Sequence, residues 1–183
     1  MIVSNFLVTG VPGIGKTTLI RRISQDLVCY DPAGFYTQEL REDGVRVGFE
    51  LVGLTGEKGL LSHADLRSPH RVGKYYVDVK GFEVFLDSLR LGDRERRLVV
   101  IDEIGRMECL SSKFTSLVHD LLAGEKVVVA TVALKGADFI DEVKRRPDML
   151  LFEITQGNRD FLGGRIIREI KPVLRDVRRD DYA

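Results

Sequence analysis

A chain of 183 residues that is 44% apolar and 31% charged has the size of one domain and enough apolar material for a sizeable core. Its 28 basic residues balance 28 acidic ones, which argues against a generic binder of nucleic acid or of anionic membranes. No basic leader precedes the first apolar segment, and no apolar run approaches the roughly 18 residues of a membrane span, so a single cytoplasmic domain over residues 1–183 is expected.

Phe6-Leu7-Val8-Thr9 reads as a buried strand. It runs into Gly10-Val11-Pro12-Gly13-Ile14-Gly15-Lys16-Thr17, which fills the phosphate-loop pattern G-x-x-x-x-G-K-[ST], and Leu19, Ile20, Ile23 and Leu27 follow at helical spacing. Strand, glycine-rich loop and helix in that order are the context the pattern requires. Glycines at 10, 13 and 15 are expected to permit positive φ and to turn successive backbone N–H groups onto an anion. Lys16 is expected to reach the β- and γ-phosphates of a nucleoside triphosphate, and Thr17 to offer a hard oxygen to the Mg²⁺ that bridges them. Thr18 is placed to hold a further phosphate oxygen at the helix N-terminus, where the dipole favours negative charge.

Asp31-Pro32 then makes a turn, and Gly34 to Arg41 alternates as a half-buried strand does. Glu42-Asp43-Gly44 reads as a hairpin turn returning through Val45 to Leu54, with a second turn near Gly56 to Gly59 and another short extended piece. Gly81 to Leu89 has helical spacing, closed by Leu91 and a glycine stop at Gly92. Leu98-Val99-Val100-Ile101 is a central-strand run, followed by a helix over Phe114 to Leu122, a strand over Val127 to Val132, a helix over Phe139 to Arg146 and a strand over Met149 to Ile154. The tail from Arg165 to Arg179 is basic and helically spaced, and Pro172 is expected to kink or end it.

Asp102-Glu103 stands at the carboxyl end of that central apolar run. In a chain with a phosphate loop, Asp102 suits a Mg²⁺ ligand, and Glu103 suits the carboxylate that polarises water for in-line attack on the γ-phosphorus. Arg106 can stabilise charge there as an internal arginine finger, or pair with Glu108 at the surface. Thr131 can sense the γ-phosphate or simply pack in the core. Phe35, Tyr36, Thr37, Glu39 and Arg41 can line the site opposite the loop, or form an ordinary strand with one apolar face. Asn158 can hydrogen-bond a base edge with Arg159 stacked on its face, or cap a helix. Cys29 and Cys109 lie in no metal-binding or redox pattern and are expected as buried thiols, and His63, His70 and His119 as packing or surface residues. Scarce Asn and Gln beside abundant Arg and Glu lean towards a thermophilic source.

Five pieces together resemble the small nucleoside-triphosphatase family of thermophilic prokaryotes and vertebrates, the family of the cancer-related nucleoside-triphosphatase. They are Gly10 to Leu19, Gly34 to Arg41, Val72 to Asp78, Val100 to Glu108 and Gly157 to Asp160. The resemblance implies a P-loop NTPase of α/β class in a RecA-like variation, with a mostly parallel central sheet flanked by helices and an antiparallel hairpin insertion. It also implies slow, Mg²⁺-dependent hydrolysis of ATP, GTP, CTP and UTP to diphosphate and phosphate. Arg106 stands where that family often has Lys, a change that is not neutral at a bidentate contact. The alternative readings are a nucleoside or nucleotide kinase, with Arg94, Arg96, Arg97, Arg145 and Arg146 as lid residues, and a nucleic-acid-coupled ATPase. The expected partner is a small-molecule nucleotide.

Overall fold

The computed structural model describes residues 3–136 and 138–180, without the side chains of 176–180. Nine strands make one sheet in the order β5-β6-β4-β3-β2-β7-β8-β1-β9. Its parallel half comprises β2 (Ala33–Glu42), β7 (Leu98–Ile104), β8 (Val127–Val132), β1 (Asn5–Thr9) and β9 (Met149–Glu153). β3 (Val45–Gly53), β4 (Lys58–His63), β6 (Tyr75–Val77) and β5 (Arg71–Val72) continue it in antiparallel pairing. The expected hairpin insertion is thus an extension of the same sheet. Asp43 and Gly44 turn β2 into β3, both at positive φ (47° and 78°), the geometry that an Asp-Gly pair favours in a two-residue hairpin.

Strand alternation splits the core into two layers. Phe6 and Val8 of β1 and Leu98 and Val100 of β7 pack under α1 (Lys16–Asp26) and α5 (Leu162–Asp180). Leu7, Val99 and Ile101 face the other way, towards α2 (Val79–Leu89) and α3 (Ser112–Ala123). With both faces covered, β7 must read as a continuous apolar run. On the α2/α3 side, Phe35, Phe82, Phe85 and Phe114 form an aromatic cluster with ring centroids 5.3–6.4 Å apart. Emptying one such position costs about 3–5 kcal/mol. Among the described residues no helix is long and apolar enough to cross a membrane.

Two local expectations are corrected and one is narrowed. The left-handed stop of α2 is Arg90, at φ 50°, and not Gly92. α5 runs through Pro172 without ending there. Pro172 lies on the exposed face, so the carbonyl that loses its N–H partner is open to water. Cys29 is exposed and Cys109 half-buried, because Cys29 falls in a short 3-10 turn, Val28–Tyr30, that buries no side chain.

Candidate active site

The carboxyl ends of β1, β7, β8 and β9 lie side by side, where open α/β sheets place their ligands. The loop after β1 delivers its glycines and then starts α1 at Lys16. Gly13 and Gly15 have φ of 77° and 107°, and a Cβ built on either meets nothing within 4 Å. The two glycines therefore serve backbone conformation and leave the concave face of the loop open. Gly10 differs from the expectation: its φ is not positive, and a Cβ there would come 2.8 Å from the Ile154 carbonyl oxygen. Close approach to the end of β9, and not a left-handed turn, demands glycine at 10.

Lys16 is buried, and its ammonium donates to the Gly10 carbonyl at 3.2 Å and lies 3.9 Å from Glu103 Oε2. β7 is not the neighbour of β1, since β8 lies between them. That spacing brings three hydroxyl residues to Asp102. Thr17 Oγ1 donates to Asp102 Oδ2 at 2.7 Å, Thr131 Oγ1 donates to Oδ1 at 2.6 Å, and Thr37 Oγ1 reaches Oδ2 at 3.5 Å. Thr131 is fully buried, and its role is neither bare packing nor an open phosphate contact. It occupies one oxygen of Asp102 and orients the carboxylate.

Burial pushes the Asp102 carboxyl up from its usual range, opposed by the hydrogen bonds from Thr131 and Thr17. Glu103 is pushed up as well, by burial first and by Asp102, with Lys16 pulling it back. Glu108 is buried, and desolvation together with the nearby Glu103 and Asp102 charges raises it to about 8. The pairing of Arg106 with Glu108 at the surface does not occur: Arg106 is exposed at the cavity while Glu108 turns inward behind Gly105.

A cavity of about 730 Å³ joins these groups, a size typical of small-molecule sites. It is lined by Gly10, Pro12, Gly13, Gly15, Lys16 and Thr17 of the loop and α1, by Glu103 of β7 and Arg106 beyond it, and by Thr37, Glu39, Arg46 and Phe49 of β2 and β3. Val11, Ile14 and Thr18 are not part of that lining; Val11 and Thr18 are exposed and Ile14 packs against the α1/α5 core. On β2 the expected residues divide by face. Thr37 and Glu39 reach the cavity, Phe35 is in the core, and Tyr36 lies under the Arg21 guanidinium at 4.6 Å. Arg41 is occupied by Glu39 and by the Gly44 carbonyl of the hairpin.

Neither Asn158 nor Arg159 lines this cavity. The Asn158 amide accepts from the Thr155 N–H and donates to the Glu153 carbonyl, both at 2.8 Å, and so braces the loop after β9. Arg159 is exposed beside Asp160 at 3.8 Å. Arg46, Phe49, Ala133, Leu134 and Lys135 also line the cavity, and no sequence motif marks them: strand register carries Arg46 and Phe49 there on β3, and the other three come from the segment after β8.

A family model described as NTPase matches residues 5–167. The chain is 46% identical over 166 residues to the nucleoside-triphosphatase THEP1 of Thermotoga sp. (strain RQ2), covering 90% of this chain and 94% of that one. It is 39% identical over 172 residues to the human cancer-related nucleoside-triphosphatase, covering 84% and 90%. The crystal structure of THEP1 from the hyperthermophile Aquifex aeolicus superposes with a TM-score of 0.80 at 35% identity, over 88% of this chain and 96% of that one.

Proposed function

The chain belongs to the NTPase family, and from that premise we propose that it is a nucleoside-triphosphatase releasing phosphate from ATP, GTP, CTP and UTP in a slow, Mg²⁺-dependent reaction. The observation that carries the reading is the meeting of Lys16 and Glu103, 3.9 Å apart, at the cavity beside the Thr17–Asp102 pair. A phosphate-binding cation and a desolvated carboxylate are what water attack on a terminal phosphate requires.

The donor set suits Mg²⁺: Thr17 and Asp102 are hard oxygens in mutual contact, and among the described residues no cluster of three His, Cys, Asp or Glu side chains forms a protein cage. Mg²⁺ is commonly held by one or two protein oxygens together with substrate phosphates. Thr17 and Asp102 would hold it, and when bound it neutralises charge on the β- and γ-phosphates. Lys16 and the loop amides bind the phosphate oxygens. Glu103 accepts a proton from water as the water oxygen bonds to the γ-phosphorus, and the bond from that phosphorus to the β–γ bridging oxygen breaks. Nucleoside diphosphate and inorganic phosphate leave, and the Glu103 proton passes to solvent. Arg106 stabilises the charge developing on the transferred group.

Broad base tolerance is read from a loop outside that lining. The loop after β9 adjoins the phosphate loop through the Ile154–Gly10 approach, and the Asn158 amide there is engaged with backbone. Asn158 shapes that loop, and the exposed Arg159 offers a plane for stacking that does not discriminate between bases. For the kinase alternative, Arg94, Arg96 and Arg97 precede β7 and lie at its opposite end from Asp102, about 13 Å of strand away, Arg145 Nε donates to the Asp141 carbonyl at 3.1 Å and Arg146 is tied to Asp148 at 2.6 Å; these positions favour hydrolysis over the kinase reading.

Glu103→Gln tests the role of the base. Turnover should fall at least about 100-fold while nucleotide binding remains, in line with loss of general-base catalysis. Turnover near that of the unaltered chain would overturn the assignment.

A further inference from the structure

The segment Val72–Asp78 stands out in the sequence but has no part in the chemistry above. One of its residues, Tyr75, is buried at 6% exposure. Its hydroxyl accepts from Arg46 Nε at 3.0 Å and donates to the Arg46 carbonyl at 3.2 Å. The Arg46 guanidinium also lies over the rings of Phe49 and Tyr75, at 5.2 and 5.8 Å, and those two rings meet edge to face with centroids 5.5 Å apart. On its other side, Arg46 Nη1 donates to Glu39 Oε1 at 2.8 Å.

This is an unusual investment in one half-exposed arginine. Arg41 and Arg46 are directly opposed across β2 and β3, a like-charge pairing that is unfavourable by itself. Glu39 resolves it by bonding both. Nε and Nη1 of Arg46 are bonded to the protein, whereas Nη2 has no such bond to a described residue, and the side chain lines the cavity with Lys16, Thr17 and Glu103. An arginine fixed on two nitrogens with its remaining edge in a cavity is preorganised for an anion.

β3 is two strands from β7, and Arg46 lies opposite Arg41, four residues or about 14 Å of strand beyond Thr37, so its guanidinium reaches the cavity by folding back along β2 to Glu39. Thr37 marks the near end, touching Asp102 at 3.5 Å, and Glu39 follows two residues on, about 7 Å further along β2 on the same face.

We propose that Arg46 grips the terminal phosphate of the bound nucleoside triphosphate from the side opposite the phosphate loop, as a catalytic residue, with Glu39 and Tyr75 as its positioning residues. This deepens the nucleoside-triphosphatase reading and rests on it. Diphosphate, lacking that group, does not meet Arg46.

The test measures kcat and KM for ATP, and the affinities for ADP and for a non-hydrolysable ATP analogue, in the unaltered chain, R46A, R46K, Y75F and R46A/Y75F. R46A should lower kcat/KM about 100-fold and weaken the analogue at least tenfold while leaving ADP within about twofold, and guanidinium ion should restore part of the activity. R46K, which keeps the charge and loses the fork, should fall between. Y75F should lower activity in the unaltered background and do nothing further in R46A, because it acts only through Arg46. If R46A is too unstable to assay, R46K and Y75F carry the same analogue-against-ADP comparison. Equal losses for analogue and ADP, unchanged kinetics in R46A, or additive effects in the double variant would overturn the proposal and leave the triphosphatase reading intact. Absence of phosphate release by the unaltered chain would remove that reading and this inference with it.

Discussion

Thr17 and Asp102, 85 residues apart in the chain, are joined by a 2.7 Å hydrogen bond between the first turn of α1 and the end of β7. Both oxygens are thereby held at the point where a divalent cation would need them. With Thr17 and Asp102 as the proposed Mg²⁺ ligands, a cation would gain its protein contacts without ordering a loop. Thr17→Ala should therefore raise the Mg²⁺ concentration for half-maximal phosphate release about 10–100-fold, as loss of a supporting or direct oxygen does at other metal sites, and Thr17→Ser should restore it. A Mg²⁺ titration of turnover reads this directly.

Thr131→Val replaces a fully buried hydroxyl by a methyl group of the same shape and leaves Asp102 Oδ1 without its 2.6 Å donor. An acceptor buried without a partner costs about 1–3 kcal/mol, and more when charged. Denaturant unfolding should show a loss of at least that size with an unchanged m-value, and Thr131→Ser should recover most of it.

Glu108 gives stability a pH dependence of definite sign. Its folded-state carboxyl holds its proton to about 8, well above the usual value of 4.5. Between those values the folded state binds more protons than the unfolded one, so this group makes stability fall as pH rises from about 4.5 to about 8. Glu108→Gln, which mimics the protonated side chain, should flatten that fall and leave the variant more stable than the unaltered chain at pH 8. Parallel curves for the two proteins between pH 5 and pH 8 would contradict the assignment.

Gly34 has φ of 147°, and a Cβ built on it would overlap the Val100 carbonyl. β2 and β7 pair here, Gly34 against Val100, and this pairing carries the antiparallel half of the sheet. Backbone cannot yield as a side-chain tip can, so Gly34→Ala should cost at least about 3 kcal/mol. A thermal midpoint within about 3 °C of the unaltered chain would be incompatible with this strand contact.

The order of elements and the phosphate loop were legible because they are local: a strand, three glycines and an amphipathic helix lie within Asn5 to Asp26. Asp102 and Glu103 were legible through the apolar run before them. Arg46 and Phe49 were not, since their place depends on the register of β3 against β2, including the irregularity at Leu40/Arg41. In sequence Thr131 looks like packing, because a threonine inside an apolar strand shows its partner only once β8 is seen between β1 and β7. Gly10 does not make the turn its pattern suggests, because tertiary contact with Ile154, invisible to a local pattern, sets its requirement. Arg90 took the left-handed position expected for Gly92, a case of local chain path overriding residue preference.

The most direct measurement is phosphate release from ATP, GTP, CTP and UTP in the presence of Mg²⁺, with and without a panel of nucleosides and nucleic acids, beside a Lys16→Ala control. The account predicts release from all four without any addition, and its loss in the control. Release or phosphoryl transfer only when an acceptor or a polymer is supplied would contradict it.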